Sequence, residues 1–214
     1  QRQMCIRDSS LITDNNPSLE FFHSSSDVLS REVTYQFLKN RVSFDKVFPK
    51  IKNLVSTDKE TFKSFWDQRI NAEYAENVFQ LGVNHVNKKN LIEAIEKFKE
   101  AIKLNPSFVL AHYFLGNTFA TIGNFKKAET YLRSAIRLKP DYAAAYNDLG
   151  NTLVAQSKLE DALVQYTTAI KIKSDYFDAY INLGIYWDNK GEFDKTLSLF
   201  KKAIQIQPQN AHGY

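Results

Sequence analysis

The strongest constraint on this fold is a Leu-Gly pair that returns at a fixed interval along most of the chain. The glycines stand at positions 82, 116, 150 and 184, a constant step of 34 residues with no insertion or deletion. A period of this length, with small residues at fixed offsets, is typical of stacked helical hairpins that bury their apolar faces against one another. The sequence therefore predicts an all-α fold.

Each repeat is expected to hold a helix A, a tight turn and a helix B. The B helices carry a small, a large and a small residue at i, i+4 and i+7, which places all three on one helical face. Because a glycine inside a helix costs about 1 kcal/mol relative to alanine, the glycines in register predict that a neighbouring helix backbone lies where a methyl group would clash. The triads are Ala94, Phe98 and Ala101; Ala128, Leu132 and Ala135; Ala162, Tyr166 and Ala169; and Thr196, Phe200 and Ala203.

The segments between these helices carry turn and stop signals. Gly123 and Gly191 follow two of the A helices, and Lys89 and Ser157 hold the equivalent positions in the other two repeats. A left-handed residue ends a helix there, and glycine adopts that conformation best. Proline cannot continue a helix, and it closes three repeats at Pro106, Pro140 and Pro208, with Ser174 in the third repeat.

These residues resemble the tetratricopeptide repeat (TPR) family over residues 75–208. The resemblance implies a right-handed superhelical solenoid of antiparallel helix pairs, with the A helices lining a concave groove and the B helices forming the convex back. Thr196, Ser174, Val78 and His112 depart from the family pattern and leave the fold prediction unchanged. We expect four repeats, at 75–108, 109–142, 143–176 and 177–210, and the start of a truncated fifth repeat at 211–214.

The first 74 residues do not continue the repeat. Met4-Cys5-Ile6-Arg7-Asp8-Ser9 resembles the translation of a transposase adapter from sequencing libraries, so we expect residues 1–9 to be an artefact and the chain to be a fragment. Residues 10–26 are rich in Ser and Asn and predict a loop or disordered tail. Residues 27–74 predict an α-helical N-terminal flank, with a remnant of another domain as the alternative, because Phe48, Glu60 and Asp67 stand where the period requires small residues.

Composition and motifs argue against several functional classes. The net charge of +4 comes without a dense basic stripe, and no run of 18 apolar residues occurs, so we expect no nucleic-acid partner and no membrane partner. The single cysteine is Cys5, so the rest of the chain has no disulfide, thiolate metal site or cysteine nucleophile. No His-Glu-x-x-His motif, phosphate loop or nucleophile elbow is present. We therefore expect no enzyme, no catalytic residue, no cofactor, no metal site and a cytoplasmic location.

The family resemblance places the groove on one face of the A helices. Those positions include four acidic residues, Glu76, Asp148, Asp178 and Asp188, and no Lys or Arg. The absence of a cationic clamp argues against an acidic chaperone C-terminal tail as the partner, whereas asparagine amides offer a donor and an acceptor to an extended peptide backbone. The predicted groove residues are Phe79, Gln80, Tyr113, Phe114, Asn117, Asn147, Asp148, Asn151, Asp178, Ile181, Asn182 and Ile185.

Two functions are compatible with this groove. The first is a protein–protein interaction scaffold that binds an extended neutral-to-basic peptide segment. The alternative is the substrate-recruiting region of a larger enzyme, a glycosyltransferase, sulfotransferase or methyltransferase, whose catalytic domain lies outside the fragment. Simpler interpretations also stand: the asparagines as solvated surface, the basic second B helix as a solvated face, and Phe79, Tyr113 and Phe114 as packing against the N-terminal flank.

Overall fold

The computed structural model describes residues 59–209, which form eight α-helices and no strand. The all-α prediction is therefore confirmed for this part of the chain. The predicted adapter residues, the loop, most of the flank and the start of a fifth repeat lie outside the described residues. The helices are α1 (Lys59–Asn87), α2 (Leu91–Leu104), α3 (Val109–Thr121), α4 (Phe125–Leu138), α5 (Ala143–Val154), α6 (Leu159–Ile172), α7 (Phe177–Asn189) and α8 (Phe193–Ile206).

The chain divides into two compact units, residues 1–77 and 78–214. In the first unit all the described residues belong to α1, a helix of 29 residues. Sequence reasoning separated the flank from the first helix A at residue 75, whereas α1 runs through that position without a break. The reason is local: no Gly or Pro occurs between residues 59 and 81, so nothing stops the helix where the repeat pattern begins.

The second unit is built from A–B helix pairs. Each of the helices α2 to α7 packs on the next helix along the chain, and the A helices α3, α5 and α7 also contact one another in order. The core within the helix pairs holds the first three predicted triads, and Phe200 of the fourth is half-buried. Phe98 and Leu132 have no exposed surface, and Tyr166 is 3% exposed. The direct contact between successive A helices creates a continuous surface on which side chains from three repeats meet.

The repeated glycines make room for side chains of the partner helix. A Cβ added to Gly150 would lie 2.4 Å from Cε1 of the buried Tyr166 ring. At Gly116 the space also borders backbone, the Leu132 nitrogen at 3.2 Å. The expected clash with a neighbouring backbone is therefore corrected: the large residue of the same repeat's triad crosses the glycine. The matching distances are 2.6 Å from Gly82 to Phe98 and 2.3 Å from Gly184 to Phe200.

The turns between A and B helices all use a left-handed residue, as the sequence predicts. Gly123 and Gly191 have φ of 77° and 75°, and Lys89 and Ser157 both have φ of 62°. A left-handed conformation costs a residue with a side chain about 1–2 kcal/mol. Two of the four turns therefore carry local strain that glycine would relieve.

Replacing Ser157 with glycine is expected to raise the free energy of unfolding by about 0.5–1 kcal/mol. The left-handed penalty disappears, while the greater backbone freedom of glycine in the unfolded chain removes part of the gain. Urea unfolding followed by circular dichroism measures the change. The reverse substitution, Gly123→Ser, serves as the control and is expected to destabilise by a similar amount. A loss of stability in Ser157→Gly would contradict the assignment of strain to this turn.

Candidate functional site

Asp148 of α5 is the centre of a hydrogen-bond network that joins successive A helices. Its Oδ2 accepts hydrogen bonds from Tyr113 Oη at 2.7 Å and from Asn117 Nδ2 at 2.9 Å, both on α3. Its Oδ1 accepts from Asn147 Nδ2 at 3.2 Å. The half-buried carboxylate is thus held by three donors, and it forms no ion pair among the described residues.

The network extends from Asp148 to the next repeat through a buried amide. Asn147 is 3% exposed, and its Oδ1 accepts a hydrogen bond from Asn182 Nδ2 of α7 at 2.9 Å. We call Tyr113, Asn117, Asp148, Asn147 and Asn182 the polar ladder. It links α3, α5 and α7, so side chains of three repeats are fixed relative to one another.

Several asparagine side chains on this surface have an amide oxygen or nitrogen that is available to a ligand. The Oδ1 atoms of Asn117 and Asn182 accept no hydrogen bond from the described residues. Asn151 is exposed, and its Oδ1 accepts from Tyr166 Oη at 2.8 Å, which leaves its Nδ2 available as a donor. Three repeats therefore present at least one amide group each, with both acceptors and donors represented.

Tyrosine hydroxyls around Asp148 are kept protonated. Burial raises the pKa of Tyr113 well above its usual range, and the negative charge and hydrogen bond of Asp148 raise it further. Burial, followed by the charge of Asp148, raises the pKa of Tyr166 to about 12 and that of Tyr176 to about 12. The same two causes raise the pKa of Tyr142. The Tyr113 hydroxyl therefore stays a donor to Asp148 throughout the neutral range.

Two clefts open beside the polar ladder. The first cleft has a volume of about 300 Å³ and lies between α3, α5 and the first turn of α4. It is lined by Asn117, Ala120, Thr121, Phe125, Asp148, Asn151 and Thr152. The second cleft, also about 300 Å³, lies between α5, α6 and α7. It is lined by Asn151, Val154, Leu159, Tyr166, Asn182, Ile185, Tyr186, Asn189 and Lys190.

The two clefts are the same structural feature in successive repeats. Six of the seven positions around the first cleft, moved by 34 residues, line the second: Asn117 corresponds to Asn151, Ala120 to Val154, Phe125 to Leu159, Asp148 to Asn182, Asn151 to Ile185, and Thr152 to Tyr186. The lining of the second cleft is less polar than that of the first. A carboxylate becomes an amide, and polar side chains give way to aliphatic and aromatic ones.

Many of the predicted groove residues are brought together by the structure. Tyr113, Asn117, Asn147, Asp148 and Asn182 form the polar ladder. Asn151 lines both clefts, and Asn182 and Ile185 line the second. Gln80 and Asp178 are exposed on their A helices, and neither lines one of these two clefts.

Other predicted groove residues belong to the core. Phe79 is 4% exposed and packs against Phe98, Phe108 and Phe114, with ring centroids 5.6, 5.1 and 5.2 Å away. Phe114 is half-buried in the same cluster, and Ile181 is 8% exposed. We therefore remove Phe79, Phe114 and Ile181, together with the buried Asn147, from the surface that a ligand contacts. The expected packing of the aromatic trio on flank aromatics falls on residues whose side chains lie outside the described set.

Sequence reasoning missed the cleft residues that do not come from the predicted face of helix A. Phe125 and Leu159 lie in the first turns of α4 and α6, and their spacing of 34 residues was the available signal. Lys190 follows the last residue of α7 and lines the second cleft, so this surface is not free of cations. Its Nζ lies 3.0 Å from Oε1 of Glu160, an ion pair that offsets its charge.

The buried histidine of α3 has a packing role. His112 is 8% exposed, and its Nε2 lies 3.0 Å from the carbonyl oxygen of Pro106. At the equivalent position Tyr180 donates to the carbonyl oxygen of Ser174 at 3.2 Å. Within residues 59–209 no group of three or more His, Cys, Asp or Glu is placed to hold a metal ion. None of the helices described there is both long and apolar enough to cross a bilayer.

Comparisons with known proteins agree with this architecture. A family profile described as tetratricopeptide repeat matches residues 79–143, and one described as TPR repeat matches residues 150–190. A comparison with curated protein sequences gave no match.

Three similar solved structures show the same fold. The crystal structure of MamA is 24% identical with a TM-score of 0.60, and the alignment covers 86% of this chain and 99% of MamA. YrrB, described as a TPR protein with an unusual peptide-binding site, is 23% identical with a TM-score of 0.58 over 82% and 92% of the two chains. The first TPR of Spaghetti (RPAP3), bound to the HSP90 peptide SRMEEVD, is 20% identical with a TM-score of 0.55 over 56% and 95%. At these identities the similarity extends to the fold alone.

Proposed function

Because the chain is a tetratricopeptide-repeat protein, we propose that its array is an interaction scaffold that binds an extended, neutral-to-basic peptide across the A helices. The observation that carries this proposal is the polar ladder together with the exposed amide of Asn151 beside it. Asn117, Asn151 and Asn182 stand on three successive A helices, and a peptide backbone needs both a donor and an acceptor at intervals along its length.

The spacing of the A helices suits an extended chain. Side-chain hydrogen bonds between α3 and α5, and between α5 and α7, require axes roughly 10 Å apart. An extended peptide advances about 3.3 Å per residue. One repeat thus corresponds to about three peptide residues, so a segment of about six residues spans the two intervals between the three helices.

The charge of the surface supports a neutral-to-basic partner. Asp148 carries a negative charge into the first cleft, and the cation beside the second cleft is paired with Glu160. The RPAP3 domain is bound to a peptide with two glutamates and an aspartate. A peptide of that charge would meet the Asp148 carboxylate without a compensating cation, so we expect no binding of such a tail. A cytoplasmic location, the absence of nucleic-acid and membrane partners and a role in recruiting an enzyme's substrate stay predictions.

The proposed groove is tested with a random twelve-residue peptide library selected on the immobilised full chain. Enriched peptides are synthesised, labelled and titrated by fluorescence anisotropy. Replacing Asn117, Asn151 and Asn182 together with alanine is expected to weaken binding about 100-fold, because three hydrogen bonds of about 1 kcal/mol each are lost.

A matched control separates this effect from general damage. Asn84 is an exposed asparagine on α1 outside the predicted groove face, and Asn84→Ala is expected to leave affinity within about twofold. Circular dichroism establishes that the triple variant keeps its helical content. Unchanged affinity in the folded triple variant would rule out the amide surface as the binding site.

A further inference from the structure

We infer that the two clefts select a peptide that carries a basic side chain, preferably arginine, and an apolar side chain about three residues apart. The basic side chain occupies the first cleft and the apolar side chain occupies the second. This inference rests on the proposed peptide-binding function and assigns a chemical class to each subsite.

The first cleft presents acceptors and few donors. Asn117 uses an N–H of its amide on Asp148, which leaves its Oδ1 free. Thr121 Oγ1 donates to the carbonyl oxygen of Asn117 at 2.9 Å, and Thr152 Oγ1 donates to that of Asp148 at 2.8 Å. The hydroxyl protons are therefore engaged, and an acceptor oxygen is all that these hydroxyls can offer; Thr121 is exposed, whereas Thr152 is 2% exposed. A lining of this kind accepts a donor-rich cation and opposes an anion.

Charge and shape in the first cleft favour arginine. Asp148 supplies a carboxylate that pairs with no cation among residues 59–209. Phe125 adds an aromatic wall on which a planar guanidinium can stack. Arginine offers five N–H donors in a fixed plane, whereas lysine offers three from a point charge. Arginine therefore matches a cleft with several separated acceptors and one ring.

The second cleft has the opposite character at equivalent positions. Asn182 replaces the carboxylate, and Ile185 and Tyr186 replace polar residues of the first cleft. Val154 is 41% exposed and Ile185 is 46% exposed, so an apolar side chain entering the cleft would cover aliphatic surface that now faces water. The two subsites lie one repeat apart, which corresponds to about three residues of extended peptide.

The test uses labelled twelve-residue peptides with a Gly-Ser-Ala background, titrated against the full chain by fluorescence anisotropy. One pair carries Arg and Leu three positions apart, in either order. Matched peptides replace Arg with Glu, replace Leu with Ser, or place Arg and Leu side by side. We expect one order of the three-residue spacing to bind best, and each of the three changes to weaken it at least tenfold. Equal binding of the Glu peptide would overturn the inference.

Two substitutions assign the subsites. Asp148→Asn removes the charge and is expected to weaken the Arg–Leu peptide at least tenfold, with little effect on a peptide that carries Leu alone. Ile185→Ser changes an exposed side chain and is expected to weaken every Leu-containing peptide. Asp194→Asn, an exposed acid in the first turn of α8 and outside both clefts and the predicted groove, is the control and should stay within about twofold.

The outcomes separate this inference from the proposed function. The inference alone would be overturned if library peptides bind through the asparagines but show no basic–apolar pattern and no effect of Asp148→Asn. Failure of every library peptide to bind the folded chain would overturn the proposed function itself.

Discussion

Replacing Phe98 with alanine should lower the free energy of unfolding by about 3–5 kcal/mol. The side chain has no exposed surface, lies across Gly82 of α1, and its ring centroid is 5.6 Å from Phe79 and 5.9 Å from Phe114. Truncation removes the free energy gained by burying the phenyl ring, and it leaves a cavity that the packed helices on both sides cannot close. Urea denaturation monitored by circular dichroism measures the loss.

The control for this substitution is a phenylalanine at the surface. Phe193 is 70% exposed at the start of α8, so Phe193→Ala should change stability by no more than about 0.5 kcal/mol. Comparable losses in the two variants would contradict the assignment of the effect to burial against the glycine of helix A, because alanine is the better helix former at both positions.

Replacing Gly150 with alanine should destabilise the protein by up to about 2 kcal/mol, against the usual preference of helices for alanine. The methyl group would lie 2.4 Å from the ring of Tyr166, which is buried and donates a hydrogen bond to Asn151. Overpacking of this kind costs about 1–3 kcal/mol, and the better helix propensity of alanine offsets about 1 kcal/mol of it.

A double-mutant cycle identifies the cause. In a Tyr166→Ala background the ring is absent, so Gly150→Ala should stabilise by up to about 1 kcal/mol, and the change of sign gives a coupling energy of at least 1 kcal/mol. The free energies of unfolding of the four proteins, measured under one set of conditions, supply the cycle. An identical cost of Gly150→Ala in both backgrounds would show that something other than Tyr166 limits the space.

The period of 34 residues was sufficient to predict the helix pairs and the conformation of their turns. It could not predict which atoms fill the space beside the glycines. A constant spacing of glycines within one sequence indicates only that the space beside each glycine is limited. Either a neighbouring backbone or an aromatic ring could limit it. It also placed a boundary where α1 continues, since a change of pattern without Gly or Pro does not end a helix.

The sequence predicted which face of the A helices carries the candidate site, but it could not predict how deeply each side chain on that face is buried. Helix periodicity places Phe79 and Gln80 on adjacent parts of one face, yet the first is buried and the second is exposed. The difference depends on Phe108, at the N-cap of α3, and on Phe114 within α3. Phe125 and Leu159 were missed for a related reason: their side chains reach the clefts from helix B, and only the tertiary arrangement brings them there.

Asn151 lines both clefts, and this overlap restricts how the recognition surface can diversify. A substitution at Asn151 alters two neighbouring subsites at once, so the side-chain preferences of the two clefts change together. Phe125 and Leu159 each belong to a single cleft, and changes there act on one peptide position. Variation of specificity by single steps is therefore expected at the first turns of the B helices, whereas the shared asparagine of α5 couples adjacent positions of the ligand.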